Sequence, residues 1–226
     1  MIAPVYQHAI VAKPDYAMIS VGLPAGAMIK VESAAMATMS PNLIMKTKMR
    51  GGLGRVFTGE SLFINEFVAQ DGEGRISIAP GCPGDIEYQR IQGKAIFLQS
   101  SAYLASSPGV VLETKWQGFV KGFFAGKGFF LVRCSGDGDL WFNSYGALIP
   151  IDVKDEYIID TGYVVAFTDT LQYEVGRVGG YKSLFFSGEG LICRFRGQGT
   201  VWMQSRTAPA FAAWANAFRP VQKSNS

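Results

Sequence analysis

The 226-residue sequence has one histidine, His8. Zinc and non-haem iron sites usually take two or three imidazoles, and a Ser-His-Asp triad would have to use this single ring. Most histidine-based chemistry is therefore excluded. His8 stands in the run Tyr6-Gln7-His8-Ala9, where a surface or edge-strand position is expected. No GxSxG elbow or HExxH helix supports a hydrolase. Cysteine is scarce too. Cys82, Cys134 and Cys193 each lie more than fifty residues from the next, with no CxxC pair. That spacing excludes a zinc ribbon, a thioredoxin-type site and a disulfide-dense scaffold, and predicts reduced packing thiols in a cytoplasmic protein. No metal and no cofactor are expected.

Charge is sparse and nearly balanced: 17% charged residues and a net charge of +3 do not demand a polyanionic partner. Long apolar runs are missing as well. The longest charge-free stretch, 95–112, contains Pro108, Gln99 and four serines, whereas a membrane helix needs about 20 predominantly apolar residues. Met1-Ile2-Ala3-Pro4 has no basic region leading into an apolar stretch, so no signal peptide is expected. Peripheral membrane contact stays compatible with the sequence. What the chain does have is 48% apolar residues and 27 glycines without a collagen period. This is the composition of a packed globular chain with many tight turns.

Self-similarity is the most informative feature. Shifted by 67 residues, 26–63 falls on 93–130 without a gap, and twelve of the 38 positions are identical. Chance would give about two or three at this composition. The matches include Gly26/Gly93, Ser40-Pro41/Ser107-Pro108, Thr47-Lys48/Thr114-Lys115, Gly51/Gly118 and Gly59/Gly126. A third copy is shorter in its first half: Phe57-Thr58-Gly59-Glu60, Phe124-Ala125-Gly126-Lys127 and Phe186-Ser187-Gly188-Glu189 recur in order. Each copy then reaches a turn and a strand, at 71–78, 136–142 and 197–203.

Within a copy the apolar period is two, as in Ile29 and Val31 against Lys30 and Glu32, which predicts half-buried strands. Short strands between glycine-rich turns indicate an all-β fold of sandwich or barrel units. Helical spacing occurs only at the end, where Phe211, Trp214, Ala215 and Phe218 fall at i, i+3, i+4 and i+7. Thr207 suits the N-cap, Pro209 the first turn and Pro220 the stop. The expected organisation is an N-terminal arm 1–17, β repeats 18–85, 86–155 and 156–206, a helix 207–220 and a tail 221–226. The apolar helix face needs cover from a sheet or a neighbouring subunit, so Phe211, Trp214 and Phe218 are candidate oligomer contacts.

Gly51-Gly52-Leu53-Gly54-Arg55 leading into 57–63, Gly138-Asp139-Leu140-Trp141-Phe142-Asn143-Ser144, and Gly199-Thr200-Val201-Trp202-Met203-Gln204-Ser205-Arg206 form three ordered signatures. Together they resemble the altered-inheritance-of-mitochondria family, over about residues 18–218. The resemblance implies a fold similar to the tryptophan RNA-binding attenuation protein (TRAP), with small β-sandwiches side by side in rings. Three per chain would make a homotrimer a nine-domain ring. It also implies a link to membrane organisation through a fungal mitochondrial relative, with no established enzymatic activity and no catalytic residues to carry over.

The densest basic segment, 46–55, holds Lys46, Lys48, Arg50 and Arg55 with no acid. These are candidate contacts for RNA or another anion, because cations and glycine allow close approach to phosphate. The plainer reading is a solvated hairpin guarding an edge strand. It is preferred because Glu32, Glu60, Glu66, Asp71 and Glu73 lie in the same copy, and copy two replaces the stretch with Glu113-Thr114-Lys115-Trp116-Gln117. Nucleic acid is thus allowed as a partner without being favoured. Trp116, Trp141, Trp202 and Trp214 are expected in packing, not base stacking. The expectation is a non-enzymatic, ring-forming structural protein; the alternative is an RNA- or small-ligand-binding regulator using 46–55.

Overall fold

The computed structural model describes residues 3–49, 63–116, 130–177 and 191–219. These form eighteen strands and one α-helix, so the chain is all-β with a short helical end. An initial β1 (His8–Val11) precedes a first set of six strands. They are β2 (Met18–Leu23), β3 (Met28–Glu32), β4 (Met36–Met39), β5 (Leu43–Met49), β6 (Phe63–Ala69) and β7 (Gly74–Ile78). A second set comprises β8 (Ile86–Gln92), β9 (Ile96–Gln99), β10 (Tyr103–Ser106), β11 (Val110–Trp116) and the long β12 (Phe130–Asn143). The third has β13 (Leu148–Val153), β14 (Glu156–Asp160), β15 (Val164–Thr168), β16 (Leu171–Arg177), β17 (Leu191–Gly197) and β18 (Gly199–Gln204). Helix α1 (Ala208–Asn216) ends the described chain.

Period-two patterning makes the strands. In β2, Ile19, Val21 and Leu23 are buried while Met18, Ser20 and Gly22 lie on the more open face. The pairing scheme is the same in all three sets, and every ladder is antiparallel. The first strand pairs with the sixth and the sixth with the third: β2-β7-β4, β8-β12-β10 and β13-β18-β15. The second pairs with the fifth and the fifth with the fourth: β3-β6-β5, β9-β12-β11 and β14-β17-β16.

In the second set β12 serves as fifth and sixth strand together. Its first half pairs with β9 and β11, its second with β8 and β10. The turn expected at 136–138 is therefore a corner within one strand, and the difference lies at Gly136. Its φ of +100° bends the strand without breaking it, and a Cβ there would stand 2.4 Å from the Gly109 carbonyl oxygen. In the first set Asp71 and Gly72, both at positive φ, break the chain into a turn instead.

Neighbouring sets are joined by strand pairing. β10 pairs with β3, and β15 with β9. Because β12 pairs with four strands, two along each half, the middle layers form one eleven-stranded sheet, flanked by four-stranded β1-β2-β7-β4 and three-stranded β14-β17-β16. Three apolar clusters fill the spaces between successive layers. The first gathers Ile19, Ile76, Phe67 and Trp141, the second Leu98, Tyr103, Phe142 and Trp202, the third Val164, Phe167 and Phe195. Trp141 and Trp202 are packed as expected, whereas Trp214 is 63% exposed on α1. The repeated Phe57, Phe124 and Phe186, and Trp116's side chain, lie outside the described residues.

Candidate oligomer interface

The joints inside the chain show what this fold does with an edge. At the first, Ala105 lies opposite Val31 and Ser106 opposite Lys30. Lys30 is 5% exposed, and its Nζ donates to the carbonyls of Pro108 and Val110, both at 2.9 Å. An ammonium in such a site stays charged only where oxygen acceptors replace its water. The N-terminal arm reinforces this joint. Asp139, fully buried, accepts the backbone N–H groups of Val5 (3.0 Å) and Tyr6 (2.9 Å) and the Tyr88 hydroxyl (3.0 Å), with Arg90 at 3.9 Å. The Tyr6 hydroxyl donates to the Met28 carbonyl at 2.8 Å. Burial, hydrogen bonding to Asp139 and its negative charge all push the Tyr88 phenol up. His8 lies on edge strand β1, with its ring 4.3 Å from that of Tyr88 and 5.2 Å from that of Trp141.

At the second joint Ala166, Phe167 and Thr168 face Leu98, Phe97 and Ile96. Phe97 stacks on Phe167 with ring centroids 5.1 Å apart and 17° between planes. Asp169 Oδ2 accepts the Ala95 N–H at 3.0 Å. A cavity of about 550 Å³ opens beside it, lined by Gln89, Arg90, Lys94, Asp169 and Thr200 among others.

Two strands lack what their counterparts have. β4 is ladder-paired to β7 on one side, and β14 to β17 on one side; no described strand lies along the other side of either. Met39 on β4 is 41% exposed, and Tyr157 and Ile158 on β14 are 43% and 45% exposed. Glu156, also on β14, is engaged by Arg194 and Arg196; the Arg196 hydrogen bond is the main cause holding its carboxyl below the usual range. The open edge of β14 thus carries Glu156 and Asp160 at its two ends, with exposed Tyr157 and Ile158 between them.

The candidate residues of the sequence reading separate. Lys46 is exposed on β5; Lys48's side chain, Arg50 and Arg55 lie outside the described residues. Phe211, Trp214 and Phe218 are 53%, 63% and 72% exposed, and they form a ladder of rings reaching Tyr145. The Thr207 hydroxyl caps α1 by accepting the Ala210 N–H at 3.4 Å, as expected. The helix buries none of its residues, so its apolar face is not covered by the sheets of its own chain. All three cysteines are free thiols. Burial raises the Cys134 thiol and pushes Cys193 up to about 12. Among the described residues no group of His, Cys, Asp or Glu could hold a metal ion, and no helix is long and apolar enough to cross a membrane.

The edge residues were missed in the sequence, though a signal existed. Tyr157-Ile158-Ile159 is an apolar run without alternation, the pattern of a strand covered on both faces.

A family model described as mitochondrial biogenesis AIM24 matches residues 8–206, from the first residue of β1 to the residue before the helix cap. The chain belongs to the AIM24 family. Helix α1 lies beyond the AIM24 match. An uncharacterised protein of Streptococcus pyogenes serotype M6 is 28% identical over 219 residues, covering 91% of this chain and 88% of the relative. The X-ray crystal structure of a Streptococcus pyogenes protein superposes with a TM-score of 0.81 at 25% identity. That match covers 95% of this chain and 100% of the other.

Proposed function

We propose that this AIM24-family chain is a non-enzymatic structural protein of the cytoplasm, acting as a homotrimeric ring in which each chain contributes three TRAP-like β-sandwich repeats. The observation that carries the reading is the pair of open edges on β4 and β14, whose counterparts within the chain are closed by strand pairing. Three sets per chain and a head-to-tail contact suit a cyclic assembly, because a heterologous interface either closes into a ring or grows into a filament. A ring repeats each surface feature, so weak contacts to a membrane or partner add up. The family's description names mitochondrial biogenesis, and the link to membrane organisation is the one that the family resemblance implies.

Light scattering on a sizing column tests this. A mass three times the 24.5 kDa chain is expected; a single-chain mass at micromolar concentration removes the ring and, with it, the scaffold role. Absorbance at 260 nm in the same peak should match protein alone. An excess would favour nucleic-acid binding through Lys46, Lys48, Arg50 and Arg55.

A further inference from the structure

The three sets share positions that can be aligned from the ladders alone. In the third strands, the bulge against the sixth strand falls between Met36 and Thr38, Tyr103 and Ala105, and Val164 and Ala166. Thr38, Ala105 and Ala166 are therefore equivalent, and so are Met39, Ser106 and Phe167. The fourth–fifth ladders begin at Leu43↔Ala69, Val110↔Gly136 and Leu171↔Gly197. Four residues before those fifth-strand positions, Asn65, Val132 and Cys193 face Val31, Leu98 and Ile159. That makes Val31, Leu98 and Ile159 equivalent in the second strands.

At both internal joints these two positions meet. Ala105 faces Val31, and Ala166 faces Leu98. The next residues also correspond, Ser106 facing Lys30 and Phe167 facing Phe97. The members left over are Thr38 and Met39 at one end of the chain and Ile159 and Ile158 at the other.

We propose that β4 of one copy pairs with β14 of a second copy, antiparallel and in the register of the internal joints. Thr38 then lies opposite Ile159, Met39 opposite Ile158 and Ser40 opposite Tyr157. The proposal rests on the ring reading and supplies its joint. The partner is a second copy because the chain makes the same contact twice with itself. Burial agrees. Ser106 and Phe167 are 0% exposed where Met39 is 41%. Lys30 and Ile96 are 5% and 6% exposed where Ile158 and Tyr157 are 45% and 43%. Among the described strands β5, β11 and β16 pair on one side only in every set, so they do not distinguish the chain's ends, whereas β4 and β14 lack a pairing that their counterparts have. Across the new ladder Met39 would face Ile158, an apolar pair in place of two exposed side chains.

The test uses full-length chains, the parent and variants in which exposed edge residues become cysteine. Met39→Cys with Ile158→Cys in one chain should link copies on mild oxidation, giving covalent oligomers that end at the number of chains in the native particle. A mixture of the two single variants should yield linked pairs of one of each. Linking by Met39→Cys alone would indicate a symmetric β4–β4 contact and overturn the proposal. So would stronger linking of Met39→Cys with Glu156→Cys, two residues out of register. As a second readout, Ile158→Lys should reduce the particle to a single chain while the far-ultraviolet circular dichroism of the parent is retained. An Ile158→Lys protein that stays oligomeric overturns this joint and leaves the ring reading standing, whereas a monomeric parent removes both.

Discussion

Glu32 closes β3 beside the first joint, and burial pushes its carboxyl from 4.5 up to about 7. The folded chain therefore holds this proton more tightly than the unfolded chain. Below pH 4.5 both states are protonated and the group is neutral towards stability. As pH rises to about 7 the unfolded state ionises first, so stability falls, and above that the whole cost persists. With the side chain only partly enclosed, that cost is roughly 1–3 kcal/mol. Glu32→Gln should raise the urea midpoint at pH 8 and leave it unchanged at pH 4; an equal gain at both values would mean that ionisation is not the cause. Lys30 is the opposite kind of buried charge, provided with acceptors by another part of the chain. Its alternation with Ile29 and Val31 read as an outward-facing lysine. The Pro108 and Val110 carbonyls that make burial tolerable lie 78 and 80 residues away, beyond the reach of any local pattern.

At the scale of single elements, β12 owes its length to glycine. Gly136→Ala would place a Cβ against the Gly109 backbone at a φ of +100°, which costs about 2–4 kcal/mol by strain and clash together. Gly26→Ala is the comparison: its φ is +76°, nothing lies within 4 Å of the added methyl, and about 1 kcal/mol is expected. Chemical denaturation of both variants checks the difference, and equal losses would remove the close approach as the reason for Gly136. Strand β1 and helix α1 show how far elements can be read locally. The helix followed from its cap and its apolar spacing. The strand in the arm did not, because the chain leading into it is pinned by Asp139, more than 130 residues on.

For the whole molecule, the placement of α1 sets an expectation of its own. None of its nine residues is buried, and it lies outside the span matched by the AIM24 model. Ending the chain after Arg206 should therefore change stability by less than about 1 kcal/mol, within the range of surface changes. If Phe211, Trp214 and Phe218 contact a neighbouring copy, the same truncation should weaken the particle on dilution. Sedimentation velocity over a hundredfold concentration range separates the two effects; a large loss of thermal stability in a dilute, dissociated sample would show that the helix supports its own chain.

Sequence alone determined the all-β class, the helix cap and the placement of Trp141 and Trp202 in the core, because alternation and capping act within a few residues. It also carried the family, through motifs in their order along the chain. Tertiary structure alone decided which strand lies beside which, where Asp139 and Lys30 find partners, and which edges are left open. Those outcomes depend on contacts between segments far apart in the chain, such as Ala105 with Val31 or Asp139 with Val5. Backbone groups pair without regard to side-chain type, so the sequence does not name their partners.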